Sequence, residues 1–184
     1  MKRIIMEEHM FFREGAAALI ILGIDPGYAI VGYGVIQAVN GKYAPVEYGA
    51  ITTQAGEEFN HRLEVIYDSV ASLLKKYPVD AVSLEKLFFY SNKTTVIGVA
   101  EARGVILLAA QQAGVKVYEY TPNEVKIAVT GYGRALKPQV MEMTRRLLKL
   151  SAVPKPDDTA DALAMAICHG QATGSALRRT MLQR

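Results

Sequence analysis

From Leu19 the chain alternates short apolar runs with longer stretches whose apolar residues recur every three or four positions. Leu19 to Ile24 is a continuous run of branched side chains, the pattern of a strand buried on both faces. Asp25-Pro26-Gly27 breaks it, since proline fixes φ and glycine tolerates a turn. Ile30 to Val39 and Val46 to Thr53 read as two further strands, and Asn40-Gly41 between them signals a hairpin. The domain therefore opens on three antiparallel neighbours. Residues 57–77 place Phe59, Leu63, Ile66, Tyr67, Val70, Leu73 and Leu74 on one helical face, and the helix ends near Pro78. A short strand over residues 81–84 follows, with Glu85 at its end. A helix over 94–113 stops at Gly114, and a fifth strand covers 115–120. Thr121-Pro122 opens a short helix that Gly131-Tyr132-Gly133 interrupts. Residues 138–150 form another, and Asp157-Asp158 introduces a last one through Gln171. The order of strands and helices is that of an α/β domain.

Length and composition narrow the classes. A chain of 184 residues, 51% hydrophobic and 21% charged, has the size and core of a single folded domain. One cysteine, Cys168, excludes a disulfide scaffold and fits a reducing, cytoplasmic setting. The apolar run 16–24 is too short to span a bilayer, so no membrane association is expected. Residues 1–18 balance Lys2, Arg3 and Arg13 against Glu7, Glu8 and Glu14 and read as an extension before the domain. The domain itself is expected over 19–172, with 173–184 as a C-terminal tail.

Candidate chemistry lies in three places. Asp25 and Glu85 each follow a buried strand, and ligands of open α/β sheets gather at such carboxyl ends. Asp158 and Asp161 are three apart in the first turn of the last helix and so share a face. If the three elements meet, four hard oxygen donors converge, a set that suits Mg²⁺ or Mn²⁺. Three histidines and one cysteine without ligand spacing argue against zinc. Taken singly, Asp25 also fits a turn former, Glu85 a solvated strand end, and Asp157 to Asp161 a helix cap; the combination is what favours a cation site. Second, residues 126–149 carry Lys126, Arg134, Lys137, Arg145, Arg146 and Lys149 against one acid, Glu142. The net charge of +3 permits a nucleic-acid partner without establishing one. Lys126 and Lys137 flank the glycine-rich bend and are the candidates for phosphate contact, whereas Arg145, Arg146 and Lys149 fit a solvated helix face. Third, Phe88-Phe89-Tyr90 cannot all face one core: an exposed aromatic there could stack on a splayed base, while burial against the following helix is the usual fate of such residues and takes at least one of them.

These motifs resemble a family. Ile21-Leu-Gly-Ile-Asp-Pro-Gly27 with Gly32-Tyr-Gly-Val-Ile36 is similar to the start of the RuvC family of Holliday-junction resolvases. The likeness continues through Glu85-x-x-Phe88 and Ala100-Glu-Ala-Arg-Gly104 to Val125-Lys126-x-x-Val129-x-Gly131-x-Gly133-x-Ala135-x-Lys137-x-Gln139-Val140. It ends in Asp158-Thr-Ala-Asp161-Ala162-Leu163-Ala164, so it spans about residues 19–171. Lys86 and residues 1–18 depart from the pattern. The resemblance implies an RNase H-like fold, a mixed five-stranded sheet flanked by helices, working as a homodimer. It implies symmetric, metal-dependent hydrolysis of four-way DNA junctions in recombination and repair, leaving 5′-phosphates, with two Mg²⁺ (or Mn²⁺) ions per site. Asp25, Glu85, Asp158 and Asp161 would be the catalytic ligands, Phe88 the DNA-facing aromatic, and Lys126 and Lys137 the DNA-contacting lysines. The RuvA–RuvB branch-migration complex is the implied partner. For the dimer, Val96, Val99, Ala100, Gly104 and Leu107 form a small-residue stripe suited to packing on a partner. Three other readings compete: an RNase H-like nuclease acting on RNA, a non-catalytic junction-binding protein, and an actin-like kinase lobe, for which the chain is too short.

Overall fold

The computed structural model describes residues 18–86 and 93–182; Phe88 and residues 1–17 of the expected extension lie outside the described residues. Five strands form one mixed sheet in the order β3-β2-β1-β4-β5. β1 (Leu19–Asp25), β2 (Ile30–Val39) and β3 (Lys42–Thr52) are antiparallel neighbours, as the sequence pattern predicts. β3 starts four residues earlier than expected. Asn40 and Gly41 both take positive φ, the two-residue turn that pins pairing at once, so Val39 faces Lys42 directly. Pro45 is tolerated inside β3 because the strand lies at the sheet edge, next to a shift in register at Val35/Ile36.

β4 (Ala81–Glu85) runs parallel to β1, and β5 (Lys116–Tyr120) parallel to β4. The helices are α1 (Phe59–Lys76), α2 (Lys93–Gln112), α3 (Pro122–Thr130), α4 (Lys137–Leu147) and α5 (Asp157–Leu182). α5 continues well past the expected end at Gln171, so residues 173–182 extend the helix. The Thr121-Pro122 start of α3 is a full capping box: Thr121 Oγ1 accepts from Glu124 N, and Glu124 accepts from Thr121 N.

Because side chains alternate along a strand, β1 feeds two cores. Leu22 and Ile24 pack with α1 and α2 residues such as Ile66, Val70 and Ile106. Ile21, on the other face, packs with Leu163 and Ile167 of α5 and with Val125, Val140 and Leu148 of α3, α4 and the segment after α4. On α2, Val105 and Leu107 turn inward against the first core, while Ile97 and Leu108 stay 63% and 49% exposed and Gly104 is open. The outward line is therefore Ile97–Gly104–Leu108, which shares only Gly104 with the small-residue stripe expected.

Candidate active site at the carboxyl edge of the sheet

Two strand ends meet first. Ile24 pairs with Leu84 across the parallel β1/β4 ladder, so the next residues, Asp25 and Glu85, finish side by side. Asp25 shares a face with Gly23, and Glu85 with Ser83, whose hydroxyl donates to the carbonyl of Met165 in α5 at 2.7 Å. Both carboxylates thus turn toward α5.

Glycine brings α5 to them. A Cβ on Gly23 would overlap the carbonyl of Ala162, one on Gly32 the carbonyl of Asp158, and one on Gly34 would press the Leu163 side chain. Gly32 is also the residue that pairs with Asp25 across β1/β2. The helix lies directly on backbone here, and the start of α5 is drawn against the end of β1. The loop after Asp25 is clamped from behind. Thr53 Oγ1 and an Arg62 guanidinium N–H both donate to the carbonyl of Tyr28, at 2.6 and 3.1 Å. Arg62 also donates to Thr53 Oγ1 and stacks over the Tyr28 ring at 4.7 Å. Sequence reasoning missed Arg62, because nothing local in α1 distinguishes it from a solvated arginine.

A cleft of about 200 Å³ results, lined by Asp25, Glu85 and Asp161 and by Lys126 and Lys137, over a floor that includes Val125, Val140, Ala164 and Met165. Lys137 Nζ stands 2.8 Å from Asp161 Oδ2 and 3.9 Å from Asp157. Asp158 does not line the cleft, but its charge reaches Asp25. The basic stretch divides in two. Arg145 and Arg146 are both tied to Glu142 on the α4 surface, whereas Lys126 and Lys137 face the carboxylates.

The electrostatics of the cleft favour a bound cation. Burial pushes the Asp25 carboxyl up to about 8, helped by Asp161, Glu85 and Asp158, with Lys137 opposing. Burial and then Asp161 also raise Glu85. Among the described residues no three His, Cys, Asp or Glu side chains already close round one point. The set nonetheless fits hard divalent ions: all its donors are carboxylate oxygens, and one lysine leaves their repulsion largely uncompensated. No helix among the described residues is long and apolar enough to cross a membrane.

The chain is similar to known proteins over most of its length. The family model described as crossover junction endodeoxyribonuclease RuvC matches residues 21–169. The enzyme of that name from Brevibacillus brevis is 58% identical over 151 residues, covering 82% of this chain and 91% of its own. The one from Clostridioides difficile is 54% identical over 151 residues, covering 82% and 89%. Among solved structures, Thermus thermophilus RuvC in complex with Holliday junction substrate superposes with a TM-score of 0.82 at 34% identity, covering 86% of this chain and 96% of that one.

Proposed function

The chain belongs to the RuvC family, with its RNase H-like α/β fold, and from that premise we propose that it is a crossover junction endodeoxyribonuclease: a divalent-metal-dependent enzyme that resolves Holliday junctions in recombination and repair. The observation in this chain that carries the reading is the cleft itself. Carboxylates from β1, β4 and α5 meet lysines from α3 and α4 there, and burial with the neighbouring carboxylates pushes Asp25 up to about 8.

At the finer level, Asp25, Glu85 and Asp158 or Asp161 would together hold two Mg²⁺ (or Mn²⁺) ions. Bound there, such ions activate a water and stabilise the leaving 3′ oxygen. The remaining work falls to the chain. Asp25 would act as a ligand in its ionised form, its proton passing to solvent when the cations bind. Lys137 turns from Asp161 to the scissile phosphate, where a fixed positive charge is most effective at the moment charge develops. Lys126 makes a second phosphate contact across the cleft. The apolar floor keeps the local dielectric low and so strengthens both contacts. Phe88 stacks on an unpaired base at the crossover. The products carry 5′-phosphates and 3′-hydroxyls.

A twofold homodimer suits a twofold substrate, and the Ile97–Gly104–Leu108 line of α2 is an apolar surface for it. RuvA–RuvB is the partner and the cytoplasm the setting. The test compares nicking of a synthetic four-way DNA junction, a linear duplex and an RNA duplex, each with Mg²⁺ or with chelator. Paired nicks in the junction alone, only with metal, are expected. Preference for RNA, or binding of the junction without cutting, overturns the reading.

A further inference from the structure

The bend between α3 and α4 is unusual for what it leaves in solvent. Ile127, Tyr132 and Leu136 are 49%, 59% and 68% exposed, although apolar side chains lie close by in the core beneath α3 and α4. The same short stretch exposes Arg134 and Lys137. Among the described residues Arg134 and Lys126 have no carboxylate partner, in contrast to Arg145 and Arg146.

The backbone of the bend is nevertheless firmly held. Gly131 caps α3 in the left-handed conformation at φ 75°, and its N–H donates to the carbonyl of Ile127 at 2.8 Å. Thr130 Oγ1 accepts from Tyr132 N at 3.1 Å and donates to the carbonyl of Lys126 at 2.8 Å. Gly133 lies so close to Asn123 that a Cβ there would overlap its side-chain oxygen. Ala135 is buried behind, and Gln139 accepts from Leu136 N at 2.8 Å. Tyr132, Arg134 and Leu136 therefore project outward from a fixed frame whose ends, Lys126 and Lys137, line the cleft. A rigid backbone presenting large apolar side chains to water is ordered in advance for a contact.

The occupant follows from the charges. An apolar patch set among Lys126, Arg134 and Lys137, next to a cleft for a phosphodiester, complements a polyanion whose sugars and bases offer apolar faces. Resting on the reading of the cleft given above, we propose that this bend is a second DNA-holding element. Tyr132 and Leu136 seat against the sugar and base faces of the strand that flanks the scissile phosphate, and Arg134 pairs with a neighbouring phosphate. The element binds and registers the strand without taking part in the chemistry.

The test uses the full chain and a fluorescent four-way junction. Junction affinity is measured in chelator across a salt series, and single-turnover cleavage in Mg²⁺ at saturating enzyme. Tyr132→Ala is expected to weaken binding about tenfold or more, in line with loss of one stacked contact. Tyr132→Phe restores it, and the saturated cleavage rate stays within about threefold of wild type. Arg134→Gln should lower the slope of log affinity against log salt by about one. Leu136→Ser should weaken binding with the slope unchanged. Wild-type affinity in Tyr132→Ala overturns the proposal. So does a loss of affinity accompanied by an equal loss in Phe or by a fallen melting temperature, which would mark a structural role. A change confined to self-association or to co-sedimentation with a protein partner also overturns it. Each variant is compared with wild type on whichever DNA the wild type binds. A wild type that binds but never cuts junctions therefore defeats the proposed function and leaves this comparison intact.

Discussion

Replacing Asp25 with asparagine should make the metal-free protein more stable, by an amount that grows with pH. The carboxyl is raised from 3.8 to about 8 by burial and by Asp161, Glu85 and Asp158. Between those two values the native state keeps a proton that the unfolded chain has released, so native stability falls as pH rises and reaches its floor above about 8. Each pH unit in that window is worth about 1.4 kcal/mol. By pH 7 the part of that window already crossed amounts to about 4 kcal/mol. Part of that is shared with Glu85 and Asp161, so we expect a gain of about 2–4 kcal/mol from an isosteric, uncharged asparagine. At about 2–4 °C per kcal/mol for a domain of this size, the melting temperature should rise by about 4–16 °C. The assay is thermal unfolding of both proteins in chelator from pH 4.5 to 8.5, with junction cleavage measured in Mg²⁺. The asparagine protein should melt higher at pH 8 and nearly level with wild type at the acid end, and should not cut. A gap independent of pH, or an asparagine protein that melts lower at pH 8, refutes the argument that Asp25 is an uncompensated buried charge.

Because metal must displace the Asp25 proton, the Mg²⁺ concentration needed for half-maximal thermal stabilisation should fall by up to about tenfold per pH unit from pH 6 to 8, and a flat response would count against Asp25 as a ligand. Lys137→Met should lower the saturated single-turnover rate by about 10²–10³-fold while junction affinity changes far less; a purely affinity-based defect would remove Lys137 from the chemistry. Gly32→Ala leaves every carboxylate in the sequence but forces α5 off the sheet at Asp158, so it should lower stability by at least about 1–3 kcal/mol and abolish Mg²⁺ stabilisation, read by thermal melts with and without metal. Leu108→Glu, on the outward face of α2, should give a monomer by sedimentation with an unchanged melting temperature, and a persistent dimer would place the interface elsewhere.

Much of this protein was legible in one dimension. The continuous apolar run of β1 announces a strand buried on both faces, and the structure divides its residues between two cores for that reason. Asn40-Gly41 specifies its hairpin because few residues tolerate consecutive positive φ, and Thr121-Pro122 with Glu124 specifies the start of α3. These signals are local, set by neighbours a few positions away, and so they can be read without the fold. Asp25 and Glu85 were recognisable as strand-end carboxylates on the same terms.

What only the tertiary structure decided is which of these groups meet. β1 and β4 are separated by two strands and a helix in the chain, yet their pairing sets Asp25 beside Glu85. The approach of α5 depends on Gly23, Gly32 and Gly34 forming a floor without side chains, a property of the assembled sheet and not of any one segment. It turns Asp161 into the cleft and leaves Asp158 outside its lining, although spacing along the helix treats the two alike. The same holds for the cations. Arg145 and Arg146 are spent on Glu142, Arg62 is turned inward to hold the loop after Asp25, and among the described residues Lys126 and Lys137 are the cations left to line the cleft. A charge acts through distance and burial, and both are fixed by contacts between residues far apart in the chain.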